Sequence, residues 1–260
     1  DRGYSEVTFA RIAAWTGASE AIIHKEFHLS SADPNLVGED AVRKLGHTNY
    51  DVADQLSNLG MEAIHPKAAK TLRQADVPLR VTNAFDPGDP GTLIDDQPAD
   101  EANVEIVTGL KVVALELFEQ DMVGVKGYDA AILDALKRHN VWIVSKTSNA
   151  NTITHYVHAS LKTVRRVARD LEEVFPSAKV SARTLSVVSP IGRNLQGLKV
   201  LSRGLSALEE AGIEVIAAHQ TPRGVDVQFV LGSRDMEPAI TALHRVLIEG
   251  AVAQFPKKAA

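Results

Sequence analysis

The chain has 260 residues, 45% of them hydrophobic and 23% charged, with a formal net charge of -5 and no cysteine. That length exceeds the usual domain of about 100 to 200 residues, so at least two domains with their own cores are expected. Scattered Lys and Arg in an acidic chain exclude the basic footprint of a nucleic-acid binder, no apolar run approaches the roughly 20 residues of a membrane span, and the lack of cysteine excludes disulfides and thiolate metal sites and fits the cytoplasm.

In chain order, Val7, Phe9, Ala10, Ile12 and Ala13 form a stripe that predicts a helix over Glu6 to Trp15, stopped by Gly17. Ala21 to Ile23 reads as a short strand. A second helix is expected from Tyr50 to Leu59, capped by Thr48 or Asn49, and a third from Pro66 to Ala75, with proline tolerated in its first turn. Pro78 to Phe85 returns to an extended strand. This is an α/β region with too few evident strands to complete a sheet. Pro, Gly and Asp crowd residues Asp86 to Asp100, which predicts a linker or surface loop.

Beyond it a βαββαβ order is expected: strand Val112 to Phe118, helix Tyr128 to His139, strands Val141 to Thr147 and Thr152 to Val157, helix Leu161 to Val174 and strand Ala178 to Ala182. About 70 residues on, the order recurs, as strand Leu185 to Ser189, helix Leu198 to Ala211, strands Ile213 to His219 and Val225 to Leu231, and helix Glu237 to Glu249. The tail, Ala251 to Ala260, carries proline and lysines and reads as disordered. The second unit therefore lacks a fourth strand, and Val104 to Leu110 is the candidate to supply it, one module being inserted in the other. The expected boundaries are 1–95, a linker at 96–103, one module at 111–183, a second built from 104–110 and 184–250, and a tail at 251–260.

Phosphate-binding, dinucleotide, zincin and nucleophile-elbow motifs are absent, and the dispersed histidines give no metal site. Arg2, Ser5 and Glu6 cluster ahead of a helix start, where a guanidinium and backbone N–H groups can grip a carboxylate; the same cluster also suits a solvated helix cap. The stretch "HLSSADP" offers hydroxyls and an Asp-Pro turn.

Taken together and in order, "RGYSEVTFARIAAWTGA", "LSSADP" and "GMEAIHPKAAKTLRQADVPLRVTNAFDPGDPGTLI" resemble the aspartate kinase family. "IIHKEFHLSSADP" and "TNYDVADQLSNLGMEAIHPKA" look most like its ectoine-associated variant. The resemblance extends to about Gly250. It implies part of an amino-acid-kinase (carbamate-kinase-like) α/β domain followed by two ferredoxin-like ACT domains, in an enzyme that phosphorylates the side-chain carboxylate of L-aspartate with ATP and Mg2+. Because the chain opens on Asp1 inside a motif and lacks the family's opening Lys-Phe-Gly-Gly-Thr segment, a fragment inactive on its own is expected.

By the same resemblance Arg2 clamps the substrate α-carboxylate, and Ser5 and Glu6 line the amino-acid pocket, Glu6 replacing the usual Asp. Lys25, Ser30, Ser31 and Asp33 fall in the nucleotide region, where His24 and Lys25 replace the usual Thr-Asp. An amino-acid effector pocket (lysine or threonine) maps to Met122, Gly124, Val125, Tyr128, Asp129, Trp142 and Val144; these could equally be core or interface residues. Val144 stands where lysine-sensitive relatives carry Asp, which implies weak or altered feedback by lysine. A homodimer through the ACT domains is implied, and the alternative to an enzyme fragment is a noncatalytic regulatory subunit that senses an amino acid.

Overall fold

A computed structural model describes residues 4–61, 64–97 and 102–250. The chain divides into two compact units: one draws on residues 1–109, 188–229 and 237–260, the other on 110–187 and 230–236. Among the described residues no helix is long and apolar enough to cross a membrane.

In the first unit, helix α1 (Tyr4–Thr16) leads into strand β1 (Ala21–Lys25). A short helix α2 (Pro34–Val37) follows, started by the Asp33 carboxylate, which accepts the Asn35 N–H at 2.9 Å. Strand β2 (His47–Asn49) runs straight into helix α3 (Tyr50–Asn58), whose first turn is closed by the Asn49 side chain accepting from Val52 N–H. Helix α4 (Pro66–Gln74) has proline at its start and packs on α1. Strands β3 (Leu79–Asn83) and β4 (Thr92–Asp95) complete a four-stranded sheet of order β1-β3-β4-β2, parallel except between β3 and β4.

Two expectations are corrected here. Residues 86–100 are not all linker, because β4 lies in the middle of the sheet with Thr92 and Ile94 buried. The region also has strands enough for a sheet once β2 and β4 are counted. Gly91 marks the entrance to β4: at φ +72° a side chain is strained, and a Cβ there would lie 2.3 Å from the Val81 carbonyl oxygen.

Strand β5 (Asn103–Phe118) is uninterrupted, as is β8 (Lys179–Arg193), where the sequence predicts two strands in each case. In the first unit the opening parts of β5 and of β10 (Val227–Gly232), the closing part of β8, and strand β9 (Val215–Gln220) follow one another in the order β5-β8-β10-β9. Helices α7 (Val200–Glu210) and α8 (Met236–His244) accompany them, and α8 widens into a π-helical turn at Arg245–Glu249.

A buried polar chain links these strands to the first sheet. Glu105 accepts from the Arg193 Nε–H and from the Thr48 hydroxyl, the latter at 2.5 Å, with Glu105 and Thr48 both buried. Arg193 Nη1 also reaches His47 Nδ1 at 3.4 Å, and His47 Nε2 meets Asp95 Oδ1 at 2.9 Å. An arginine can only donate, so His47 Nδ1 accepts and its proton sits on Nε2, facing Asp95.

The second unit holds β6 (Trp142–Ser148) and β7 (Thr152–His158), in the order β6-β7-β5-β8 with the later part of β5 and the earlier part of β8. Helices α5 (Tyr128–Arg138) and α6 (Leu161–Val174) cover one face. The core joins Leu115, Leu117, Ile132, Leu136, Val157, Val164 and Leu171. Residues 251–260, expected to be a tail, lie outside the described residues.

Candidate functional site

The end of β1, the first turn of α1 and the start of α4 converge on one carboxylate. Glu6 Oε1 lies 2.8 Å from Lys25 Nζ, and Glu6 Oε2 accepts the backbone N–H of His65 at 2.6 Å. His65 is itself the N-cap of α4, its Nδ1 accepting from Lys67 N–H at 3.2 Å. The ion pair is about a fifth exposed on each side, so it sits at the edge of solvent rather than in the core. Two residues assigned by resemblance to different ligands, Glu6 and Lys25, are thus direct partners. Ser5 is exposed on the same first turn, and Arg2 lies outside the described residues. His65 is not among the site residues expected from sequence, although it lies in the quoted "GMEAIHPKA" stretch, just before Pro66 at a helix start.

The loop after β1 carries Ser30, Ser31 and Asp33. Asp33 is exposed and caps α2, while Ser30 is half-buried and donates to the His28 carbonyl at 3.2 Å. Ser31 is buried: its Oγ accepts from Arg43 N–H at 2.9 Å and lies 2.8 Å from His244 Nε2. Beside Ser30 opens a pocket of about 260 Å³ whose walls include Phe27, Leu29, Leu56, Met61 and Ile106, an apolar slot with room for a flat ring. Close by, His28 Nε2 is 3.5 Å from Asp86 and His28 Nδ1 3.9 Å from Asp89, which also pairs with Lys44.

In the second unit the predicted effector residues divide. Met122 and Val144 are buried, Met122 within the core cluster. Tyr128 stacks on Phe175 with ring centroids 4.4 Å apart. Gly124 takes a positive φ, and Val125 and Trp142 are exposed, Trp142 by 65%. Asp129, in the first turn of α5, pairs with Lys146 Nζ at 2.6 Å and lies 3.5 Å from His155 Nε2. Lys146 and His155 come from β6 and β7 and carried no signal in the sequence.

His155 is fully buried, and among the described residues neither ring nitrogen has a hydrogen-bond partner. Burial, offset in part by Asp129, pushes its pKa down to about 4. The folded state therefore refuses a proton that the unfolded chain accepts near pH 6.5, so stability rises with pH across that window. The stabilising difference is complete above about pH 6.5 and is lost progressively as pH falls towards 4, amounting to about 3 kcal/mol. Denaturant titrations at pH 4.5 and 7 check this: His155→Phe flattens the difference, and an equal slope in both proteins would refute the assignment to His155.

Residues 1–83 match the amino acid kinase family. The chain is 56% identical to the aspartate kinase Ask_Ect of Stutzerimonas stutzeri (strain A1501), over 96% of the chain and 53% of that protein. Among solved structures it is similar to the Clostridium acetobutylicum aspartate kinase, with TM-score 0.85 and 18% identity over 94% of this chain and 58% of the other. It is also similar to E. coli aspartokinase III in complex with aspartate and ADP, with TM-score 0.80 and 20% identity over 95% and 56%. The chain spans about half the length of the relatives it matches.

Proposed function

The chain belongs to the aspartate kinase family, and on that premise we propose that it forms the later part of an enzyme transferring the γ-phosphoryl group of ATP to the side-chain carboxylate of L-aspartate. The observation that carries this reading is the Glu6–Lys25–His65 junction, which brings the proposed amino-acid side and the proposed phosphate side to one carboxylate. The 56% identity to Ask_Ect supports the ectoine-associated variant.

Phosphoryl transfer asks the protein mainly for positioned charge. Among the described residues each oxygen of Glu6 holds one donor and keeps a lone pair for another, which suits the ammonium group of an amino-acid substrate beside Ser5. Lys25, anchored by Glu6, offers a fixed cation next to the transferring group. The slot by Phe27 and Met61 takes the base of the nucleotide, with Ser30 in its wall.

Mg2+ enters such a reaction on the nucleotide's phosphates. The His28, Asp86 and Asp89 group does not suit it: Mg2+ favours an all-oxygen octahedron, whereas here one donor is an imidazole and Asp89 already carries Lys44. No step is assigned to those residues.

In the second unit, the turn before α5 with Asp129 and Lys146 is the proposed place of an amino-acid effector. A weak or altered response to lysine is expected there, because Val144 puts an apolar side chain where lysine-sensitive relatives carry a carboxylate to meet an ammonium group.

The test is an assay of the longer protein containing this sequence, with hydroxylamine to trap the acyl phosphate. ADP release and hydroxamate that both require aspartate are expected, while the 260-residue chain alone gives neither. A longer protein that binds an amino acid but turns over no ATP would replace this reading with a regulatory subunit.

A further inference from the structure

The chain of groups behind Ser31 is not used by the reaction described above. Ser31 is 1% exposed and His244, at the end of α8, is fully buried. Ser31 Oγ accepts the Arg43 N–H, so its own proton is directed at His244 Nε2, 2.8 Å away. His244 Nδ1 then carries its proton towards Glu249 Oε1, at 2.9 Å, which fixes the tautomer.

The π-helical turn Arg245–Glu249 makes this possible. Five residues along a regular α-helix, side chains point about 140° apart. Closing the turn over i→i+5 returns the fifth residue to the same face, and such turns concentrate at functional positions. The serine backbone is held as well: its N–H donates to Arg43 O and its carbonyl accepts from Val107 N, both at 2.8 Å. One turn earlier on α8, Thr241 Oγ1 reaches the Leu36 carbonyl at 3.4 Å, a second tie to the same loop and its helix.

We propose that His244 is a positioning residue for the nucleotide, acting through Ser31 to hold the Leu29–Asp33 loop in the shape that receives ATP. The proposal rests on reading that loop as part of the nucleotide site. A directional chain of hydroxyl, imidazole and carboxylate fixes one loop position, whereas an apolar contact in the same place would tolerate sliding. A shift of α8 thereby alters nucleotide affinity without touching the amino-acid side at Glu6.

The experiment uses the longer enzyme and two substitutions that separate the links. In His244→Gln the amide oxygen can still accept from Ser31; in His244→Asn the shorter amide reaches only towards Glu249. Steady-state kinetics should show His244→Asn raising KM for ATP about tenfold, with KM for aspartate and kcat within about twofold, the effect of one lost buried hydrogen bond. His244→Gln should recover KM for ATP to within about threefold even if its melting temperature falls as far. Equal KM values for ATP in wild type and both variants would overturn the proposal, as would KM values that follow melting temperature alone. Ser30→Ala and Asp33→Ala locate any failure. If they raise KM for ATP and His244→Asn does not, only the positioning role falls; if they leave it unchanged, the loop is not a nucleotide loop and both readings fall.

Discussion

Replacing Glu6 by alanine in the longer enzyme is expected to lower kcat/KM for aspartate by about 100- to 1000-fold, on the order of 3–4 kcal/mol of transition-state stabilisation. The carboxylate is the common partner of a cation and a helix-start N–H, and its loss frees Lys25 from its ion pair and leaves His65 N–H to solvent. Glu6→Asp tests the role of reach. The family's usual Asp is one methylene shorter, and in this chain that shortening cannot span both Lys25 and His65 N–H without moving α1, so only part of the activity returns. Glu6→Gln keeps the length and removes the charge, which separates the ion pair from the hydrogen bond. Near-wild-type turnover in Glu6→Ala would refute the placing of substrate at this junction. Because the pair is partly exposed, the same variant should change unfolding free energy by only about 1 kcal/mol.

Arg193→Ala is expected to have the largest effect on stability, a loss of about 3–5 kcal/mol in denaturant unfolding. The reason is what it leaves behind: Glu105 stays buried, with Thr48 as its remaining side-chain donor among the described residues. The His47 ring also loses the donor on Nδ1 that sets its tautomer towards Asp95. Glu105→Leu combined with Arg193→Met removes both charges and should cost less than Arg193→Ala alone, since a buried pair offsets much of its own desolvation. A loss under about 1 kcal/mol for Arg193→Ala would show that water reaches Glu105 and that the chain is a surface pair.

The sequence was most informative where local chemistry decides the structure. Asn49 before α3, Pro66 at the start of α4 and the four-residue spacing of Val164, Ala168 and neighbouring apolar residues on α6 are signals read within one turn, and these helices lie within a residue or so of expectation. It was least informative where distant partners decide. β2 is three polar residues whose Thr48 is buried because Glu105 waits for it 57 positions away. β4 hides among prolines, glycines and aspartates that punctuate its entrance, and only the close approach of Gly91 to Val81 explains that composition. The site follows the same division. Glu6 and Lys25 were named from motif position, but their pairing, His65 and the His155–Asp129–Lys146 group depend on which strand ends lie together in space. Ser31 was named as a nucleotide residue, and its burial against a histidine 213 positions later could not be foreseen.

The first unit is assembled from separated stretches of chain, with residues 110–187 intervening before its strands can be completed. On the ribosome this imposes a delay. Glu105 emerges first, and its partner Arg193 follows 88 positions later. At roughly 5–20 residues per second, synthesis of that interval takes roughly 4–18 s, during which the opening part of β5 has no β8 beside it. For that time the nascent chain carries an unpaired strand and an uncompensated carboxylate, the species most exposed to misfolding and to chaperones.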